Sequence, residues 1–326
     1  MDELSFDNRL DIQQINDTID RIKSEIGQVV VGQEKAIELL LTAILANGHI
    51  LLEGVPGVAK TLTAKLIAKT IDVGFSRIQF TPDLMPSDVM GTNVFNPKTT
   101  EFEFRQGPIF SNIILIDEIN RAPAKTQSAL FEVMEERTIT IDGHAYQLEA
   151  PFMVIATQNP VEHEGTYQLP EAQLDRFTFK LMIEYPSAEQ EVEILNRHQL
   201  NFNLHQMISQ VNKVIDAPRL NELRKLVSNI TIEHKLLEFI TLIVQKTRTH
   251  GGLILGASPR ASIAILNTSK ALAALRGRDF VIPEDIIEVA LPALRHRISL
   301  SAEKEMDGTS TDDIVYSIIK STEIPR

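Results

Sequence analysis

The stretch Gly54-Val-Pro-Gly-Val-Ala-Lys60-Thr61 constrains this chain more than any other. A short apolar strand, His49 to Leu52, leads into it, and a helical pattern running to about Lys69 leads out. Strand, glycine-rich loop and helix in that order make a cradle for phosphate. Backbone N–H groups wrap the anion, and the helix N-terminus adds partial positive charge. In such a loop Lys60 reaches the terminal phosphates, while the Thr61 hydroxyl faces Mg²⁺. One position departs from the general pattern, because Ala59 stands where a second glycine is usual. Residues downstream of the loop therefore decide its meaning.

Strands and helices alternate through the first half. Apolar runs predict strands over 49–52, 75–80, 112–116, 152–156 and 177–183. Several, such as Ile113-Ile-Leu-Ile116, show no polar face, which is the mark of a parallel sheet covered by helices on both sides. Upstream, Ile12, Ile15, Ile19, Ile22, Ile26 and Val29 recur at steps of three and four, an amphipathic helix with one apolar stripe. Fewer than three heptads point to packing on the nucleotide domain rather than a coiled coil. A second helix is expected over 34–46. Two irregular inserts interrupt the alternation. One, over 88–106, reads as a strand pair around Asn96-Pro97-Lys98; the other, over 138–148, alternates on both sides of Asp142-Gly143, a strong hairpin signal.

After Tyr185-Pro186-Ser187 the pattern turns helical and stays so from Glu189 onward, for instance at Leu236, Leu237, Ile240, Ile243 and Val244. An α/β domain over 1–186 and a helical domain over 187–326 are therefore expected. Pro259, Pro283 and Pro292 fall at or near helix starts, with a kink as the alternative for Pro292.

Composition narrows the function. The formal net charge is −12 and no Lys/Arg cluster stands out, which argues against a surface for duplex nucleic acid. There are no cysteines, so disulfides, thiolate metal sites and cysteine nucleophiles are excluded together. The eight histidines lack metal-ligand spacing and read as structural. Met-Asp-Glu-Leu is no signal-peptide start, and the run around Leu39 to Leu45 is too short and too interrupted to span a membrane. A cytoplasmic protein with no membrane insertion is expected.

Three further segments carry chemistry. Ile113-Ile-Leu-Ile-Asp117-Glu118 is an apolar strand ending in two carboxylates, 57 residues after Lys60. At the carboxyl edge of a parallel sheet both acids lie beside the phosphate loop. Asp117 suits the Mg²⁺ shell and Glu118 suits polarising an attacking water. Phe152-Met-Val-Ile-Ala-Thr157-Gln158-Asn159-Pro160 is another such strand, ending in amides that can reach a phosphate or the water. Arg176 follows Asn159 by 17 residues, and Ser258-Pro259-Arg260 opens a helix in the second domain. Taken singly, each arginine would be an ordinary surface ion pair.

In order, Val31-Gly-Gln33, Gly-Val-Pro-Gly-Val-Ala-Lys-Thr, Leu-Ile-Asp-Glu-Ile-Asn-Arg121-Ala-Pro, Ala-Thr-Gln-Asn-Pro160, Leu169-Pro-Glu-Ala-Gln-Leu-Asp-Arg-Phe177 and Gly256-Ala-Ser-Pro-Arg-Ala261 resemble the MoxR family of AAA+ ATPases. The likeness runs from about Gln28 to Arg297, and alanine at position 59, like Val55, fits the family's own variant of the loop. It implies an AAA+ core with a parallel sheet, two β-hairpin inserts and a C-terminal all-helical lid.

The resemblance also implies roles. Val31, Gly32 and Gln33 would sit near the adenine of ATP. Gly54, Val55, Pro56, Gly57, Val58, Ala59, Lys60, Thr61 and Leu62 would hold the phosphates, with Thr61 and Asp117 on Mg²⁺. Glu118 would be the catalytic base and Asn159 the sensor of the γ-phosphate. Arg176 would be the arginine finger acting on a neighbouring subunit, and Arg260 the second sensor, in cis or in trans. The implied assembly is a hexameric ring that remodels client complexes with a von Willebrand factor A (VWA) domain partner. The inserts at 88–106 and 138–148 would face the client or a central pore. Alternatives are a nucleic-acid-stimulated motor, or a switch with little hydrolysis. The inserts carry Lys98, Arg105 and His144 against Asp88, Glu101, Glu103 and Asp142, a poor phosphate track. The intact Asp117-Glu118 pair argues against the switch.

Overall fold

The computed structural model describes residues 3–55, 57–159, 167, 169–199 and 204–325. Five strands form the central sheet: β1 (His49–Gly54), β2 (Phe75–Gln79), β3 (Ile113–Asp117), β4 (Met153–Gln158) and β5 (Phe177–Ile183). All pair in parallel, in the spatial order β2-β3-β4-β1-β5. Residues of β3 are buried throughout, as a strand covered on both faces must be.

Alternate strand residues enter two different cores. Ile50, Leu52, Ile113, Leu115, Met153, Ile155 and Phe179 face the helices Glu34–Leu45 and Lys60–Thr70. Leu51, Ile114, Ile116, Val154, Ala156 and Phe177 face the helix Ala124–Glu136 and the roots of the inserts. The first core does not stop at the sheet. Through the helix Glu3–Gly27 it runs into the C-terminal helices, with Ile15, Ile19, Ile22 and Ile26 buried in the same cluster as Leu223, Ile240, Leu272 and Val315. The six-residue stripe therefore packs as expected except at its end: the helix stops at Gly27, and Val29 is only partly buried.

Both inserts are antiparallel hairpins, Gly91–Asn96 with Glu101–Gln106 and Thr138–Ile141 with His144–Gln147. They lean on each other. Phe104 stacks on Tyr146 with centroids 4.3 Å apart, and Asn93 Nδ2 donates to Asp142 Oδ2. Phe95 and Phe102 meet edge-on at 5.4 Å, and Phe102 remains 71% exposed.

The C-terminal part is mainly helical, with one correction. Leu253–Leu255 pairs antiparallel with Ser299–Leu300, so the region from Glu189 onward is not wholly helical. Pro259 and Pro283 begin helices, whereas Pro292 lies inside the last turn of Pro283–Leu294. Beyond residue 301 the chain forms the helices Ala302–Met306 and Thr311–Lys320, the second burying Ile314, Val315, Ile318 and Ile319. Among the described residues, no helix is long and apolar enough to cross a membrane.

Candidate active site

The glycine-rich loop leaves the carboxyl end of β1 and turns straight into the helix Lys60–Thr70. Gly57 (φ +87°) and Ala59 (φ +58°) both adopt left-handed backbone, the latter at the helix N-cap. Ala59 thus takes the conformation that glycine provides more cheaply, at a cost of about 1–2 kcal/mol. Val58 and the half-buried Val55 and Leu62 anchor the loop in the core, and the Lys60 ammonium donates to Gly54 O at 2.6 Å. Burial pushes the Lys60 pKa down, opposed by the nearby charges of Asp117, Glu118 and Glu53. Pro56 lies outside the described residues, as does Pro160.

Gln33 joins the second segment to the first, its Nε2 donating to Val58 O at 2.6 Å. Gly32 is left-handed (φ +60°), and a Cβ there would collide with the Gln190 side chain at 2.2 Å. The Gly32-Gln33 turn, the end of β5 and Leu291 and Arg295 of the C-terminal helices bound a cleft of about 540 Å³ beside the loop. That is the size of a small-ligand pocket.

β3 delivers the carboxylates, and Thr157 of β4 braces them. Asp117, 8% exposed, accepts from Arg77 Nε at 2.6 Å and from Thr157 Oγ1 at 3.3 Å. Glu118 is left-handed (φ +58°) and held there by its N–H, which donates to the same Thr157 hydroxyl at 3.0 Å. A non-glycine residue in that conformation costs roughly 1–3 kcal/mol and persists where the surroundings fix it. The Glu118 Oε2 accepts from Gln79 Nε2 at 2.7 Å and pairs with Arg121 Nε at 3.2 Å. Asn159 follows β4, whose Gln158 registers with Glu53 of β1, at the same sheet edge as the loop.

Among the described residues, no cluster of three or more His, Asp or Glu could hold a metal by itself. Thr61 and Asp117 suit an ion that takes most of its ligands from phosphate and water, which is how Mg²⁺ is commonly bound.

The two sequence-expected arginines lie elsewhere. Arg176 precedes Phe177, and Phe177 registers with His49 at the amino end of β1; the phosphate loop leaves the other end, where Gly54 registers with Ile183. The rise along β1 separates them by roughly 17 Å, more than an arginine side chain spans. Arg260 stands with Arg176, not with the loop. Both bind Glu135 of the helix Ala124–Glu136, at 2.5 Å each, and both line a recess of about 260 Å³ with Asn47, Thr178 and Asn267. One sheet thus carries a glycine-rich loop with two carboxylates at one end of its strands and a pair of arginines at the other.

Arg77, Gln79 and Glu135 were not singled out by the sequence. Arg77 and Gln79 occupy alternate positions of an edge strand and could have been flagged as polar residues facing Asp117 and Glu118. Glu135 sits among Glu132 and Glu136 and carries no such signal.

Comparison with known proteins agrees with this geometry. Residues 49–179 match the ATPase family associated with various cellular activities (AAA), and residues 245–318 match the AAA lid domain. The chaperone MoxR1 of Mycobacterium tuberculosis is 42% identical over 318 residues, 95% of this chain and 83% of that protein. The chain belongs to the MoxR family of AAA+ ATPases. A Bacillus subtilis relative, the uncharacterized protein YeaC, is 47% identical over 313 residues, covering 96% and 97% of the two chains. A crystal structure of a candidate ATPase from Cytophaga hutchinsonii superposes with a TM-score of 0.89 at 45% identity, over 97% of each chain. MoxR-family membership accounts for the parallel sheet, the hairpin inserts and the helical lid in one fold.

Proposed function

We propose that this MoxR-family protein hydrolyses ATP with Mg²⁺ in an oligomeric ring of six subunits, completing each active site across a subunit boundary. The observation that carries this reading is the placement of Arg176 and Arg260 at the sheet edge opposite their own phosphate loop. In a ring one subunit's arginine edge can meet the next subunit's loop edge. Arg176 then acts as the finger and Arg260 as the second sensor, both in trans. Arginines supplied that way are worth roughly 10³–10⁵ in rate, because phosphoryl transfer depends on positioning and charge neutralisation.

Within each subunit, the Val31–Gln33 turn borders the base, Lys60 the β- and γ-phosphates, and Thr61 and Asp117 the ion. When bound, Mg²⁺ neutralises charge developing on the transferred phosphoryl group. Glu118 takes a proton from the attacking water, Asn159 orients water against the γ-phosphate, and Arg121 and Gln79 hold the Glu118 carboxylate in place. The cycle drives remodelling or activation of client complexes in the cytoplasm, with a VWA-domain protein as partner; the mycobacterial relative carries the name of a chaperone. The paired hairpins, with Phe95 and Phe102 exposed, are the client-facing surface. We expect Glu118→Gln to keep ATP binding and abolish turnover, and, used as a trap in ATP, to recover the client. Turnover equal to the parent's would remove Glu118 from its role.

A further inference from the structure

We propose that Glu135 is a positioning residue that locks Arg176 and Arg260 into one paired cationic group facing the phosphates of a neighbouring copy's nucleotide. The inference rests on the trans assignment above and names the residue that makes the pair possible. Two guanidinium groups brought together repel, and a neighbour's phosphate is absent until the ring closes. Glu135 supplies the missing anion from within the chain. Its Oε2 takes Arg176 NH1 at 2.5 Å and its Oε1 takes Arg260 NH2 at 2.5 Å, so both oxygens of one carboxylate are used.

The surroundings fix the carboxylate's two clients from behind. Arg176 NH1 also donates to Phe131 O, one turn before Glu135 on the same helix. Ser258 caps the Arg260 helix, accepting from Arg260 N at 3.1 Å, and its hydroxyl donates to Asp175 Oδ2 at 2.8 Å. Asp175 in turn accepts from Arg297 Nε at 2.7 Å; Arg297 is only 6% exposed. The arginine-bearing segments of the sheet domain and of the lid are thereby tied at two points, Asp175 to Ser258 and Glu135 to both arginines. Each guanidinium carries five N–H donors and spends few of them here, leaving others to meet an anion in the recess. Half-exposed ion pairs add little to stability, so a Glu135 substitution should show in turnover rather than in melting. A misplacement of about 1 Å in a catalytic group can cost on the order of 10²-fold.

The test is subunit mixing with Glu135→Gln, which keeps the shape and removes the charge. Alone, the variant should lose about 10- to 100-fold in kcat, with unchanged melting and unchanged affinity for a fluorescent ATP analogue. Mixed with Glu118→Gln subunits, which retain intact arginines, it should regain turnover, because the Glu135→Gln subunit still supplies a working hydrolytic edge. Mixed with Arg176→Ala it should rise no higher than Glu135→Gln alone, since neither subunit carries an intact arginine group. Parental kcat in Glu135→Gln overturns the proposal. So does failure of Glu118→Gln to rescue it while Glu118→Gln still rescues Arg176→Ala. If Glu118→Gln fails to rescue Arg176→Ala, the trans assignment itself is wrong. Should Glu135→Gln not fold, Glu135→Asp takes its place, because it draws the carboxylate back by one methylene from both guanidiniums, and the same mixing pattern is required.

Discussion

Thr157 shows how much of this site is set by one hydroxyl. It is 3% exposed, accepts the Glu118 N–H and donates towards Asp117 Oδ1. It therefore fixes the left-handed backbone of Glu118 while sharing a hydrogen bond with the carboxylate proposed for the ion. Thr157→Val keeps the volume but leaves the part-buried Glu118 N–H unpaired, which costs up to about 1–3 kcal/mol. We expect denaturant unfolding to report that loss. We also expect kcat to fall more than ATP affinity, since Glu118 is released and Lys60 is untouched. Unchanged kcat would mean that Glu118 needs no such support. Residues of this kind were partly legible. Asp117, Glu118 and Asn159 announce themselves by ending apolar strands, where a polar residue has no reason to be except at a sheet edge. Glu135 could not be read, because nothing in a run of glutamates on a helix says which one two distant arginines will share.

The strands that carry the site were legible because a run without a polar face has to be covered on both sides, and Asp142-Gly143 marked its hairpin by turn chemistry. The carboxyl ends of β1, β3 and β4 were placed short. Glu53, Gly54, Asp117 and Gln158 continue the ladders but are polar or small, because there the strand becomes the site. The ribbon Leu253–Leu255 with Ser299–Leu300 is too short to show any period. The histidines show no metal-ligand spacing, and His49 illustrates a structural use of such a side chain. Its Nε2 donates to Met134 O at 3.1 Å, and its Nδ1 accepts from Val154 N at 2.9 Å, tying β1 to the helix Ala124–Glu136 and to β4. Burial pushes its pKa down from 6.5 to about 4. The unfolded chain binds the proton more readily, so this stabilisation is complete above about pH 6.5 and drains away towards pH 4, amounting to roughly 3 kcal/mol at most. The buried His296 is shifted the same way. Melting measured across that window should fall less steeply for His49→Gln than for the parent; an identical slope would contradict the assignment.

At the scale of the whole molecule, the sheet separates two half-sites by its own length. The loop edge carries Lys60, Thr61, Asp117, Glu118 and Asn159; the opposite edge carries Arg176 and Arg260 on Glu135. The core beneath the lid runs unbroken through the helix Glu3–Gly27, where Asn16 Nδ2 donates to Leu275 O at 2.7 Å. Sheet and lid therefore share one hydrophobic core. The finger role proposed for Arg176 comes from the resemblance, but its placement beyond reach of its own loop comes from strand register alone. The most direct test is ATP turnover per subunit across a dilution series, with oligomeric state followed by light scattering in the same samples. Completion in trans predicts that specific activity falls by roughly 10³-fold or more as rings dissociate, and that Arg176→Ala stays low at every concentration. Full, concentration-independent turnover by the monomer would contradict it.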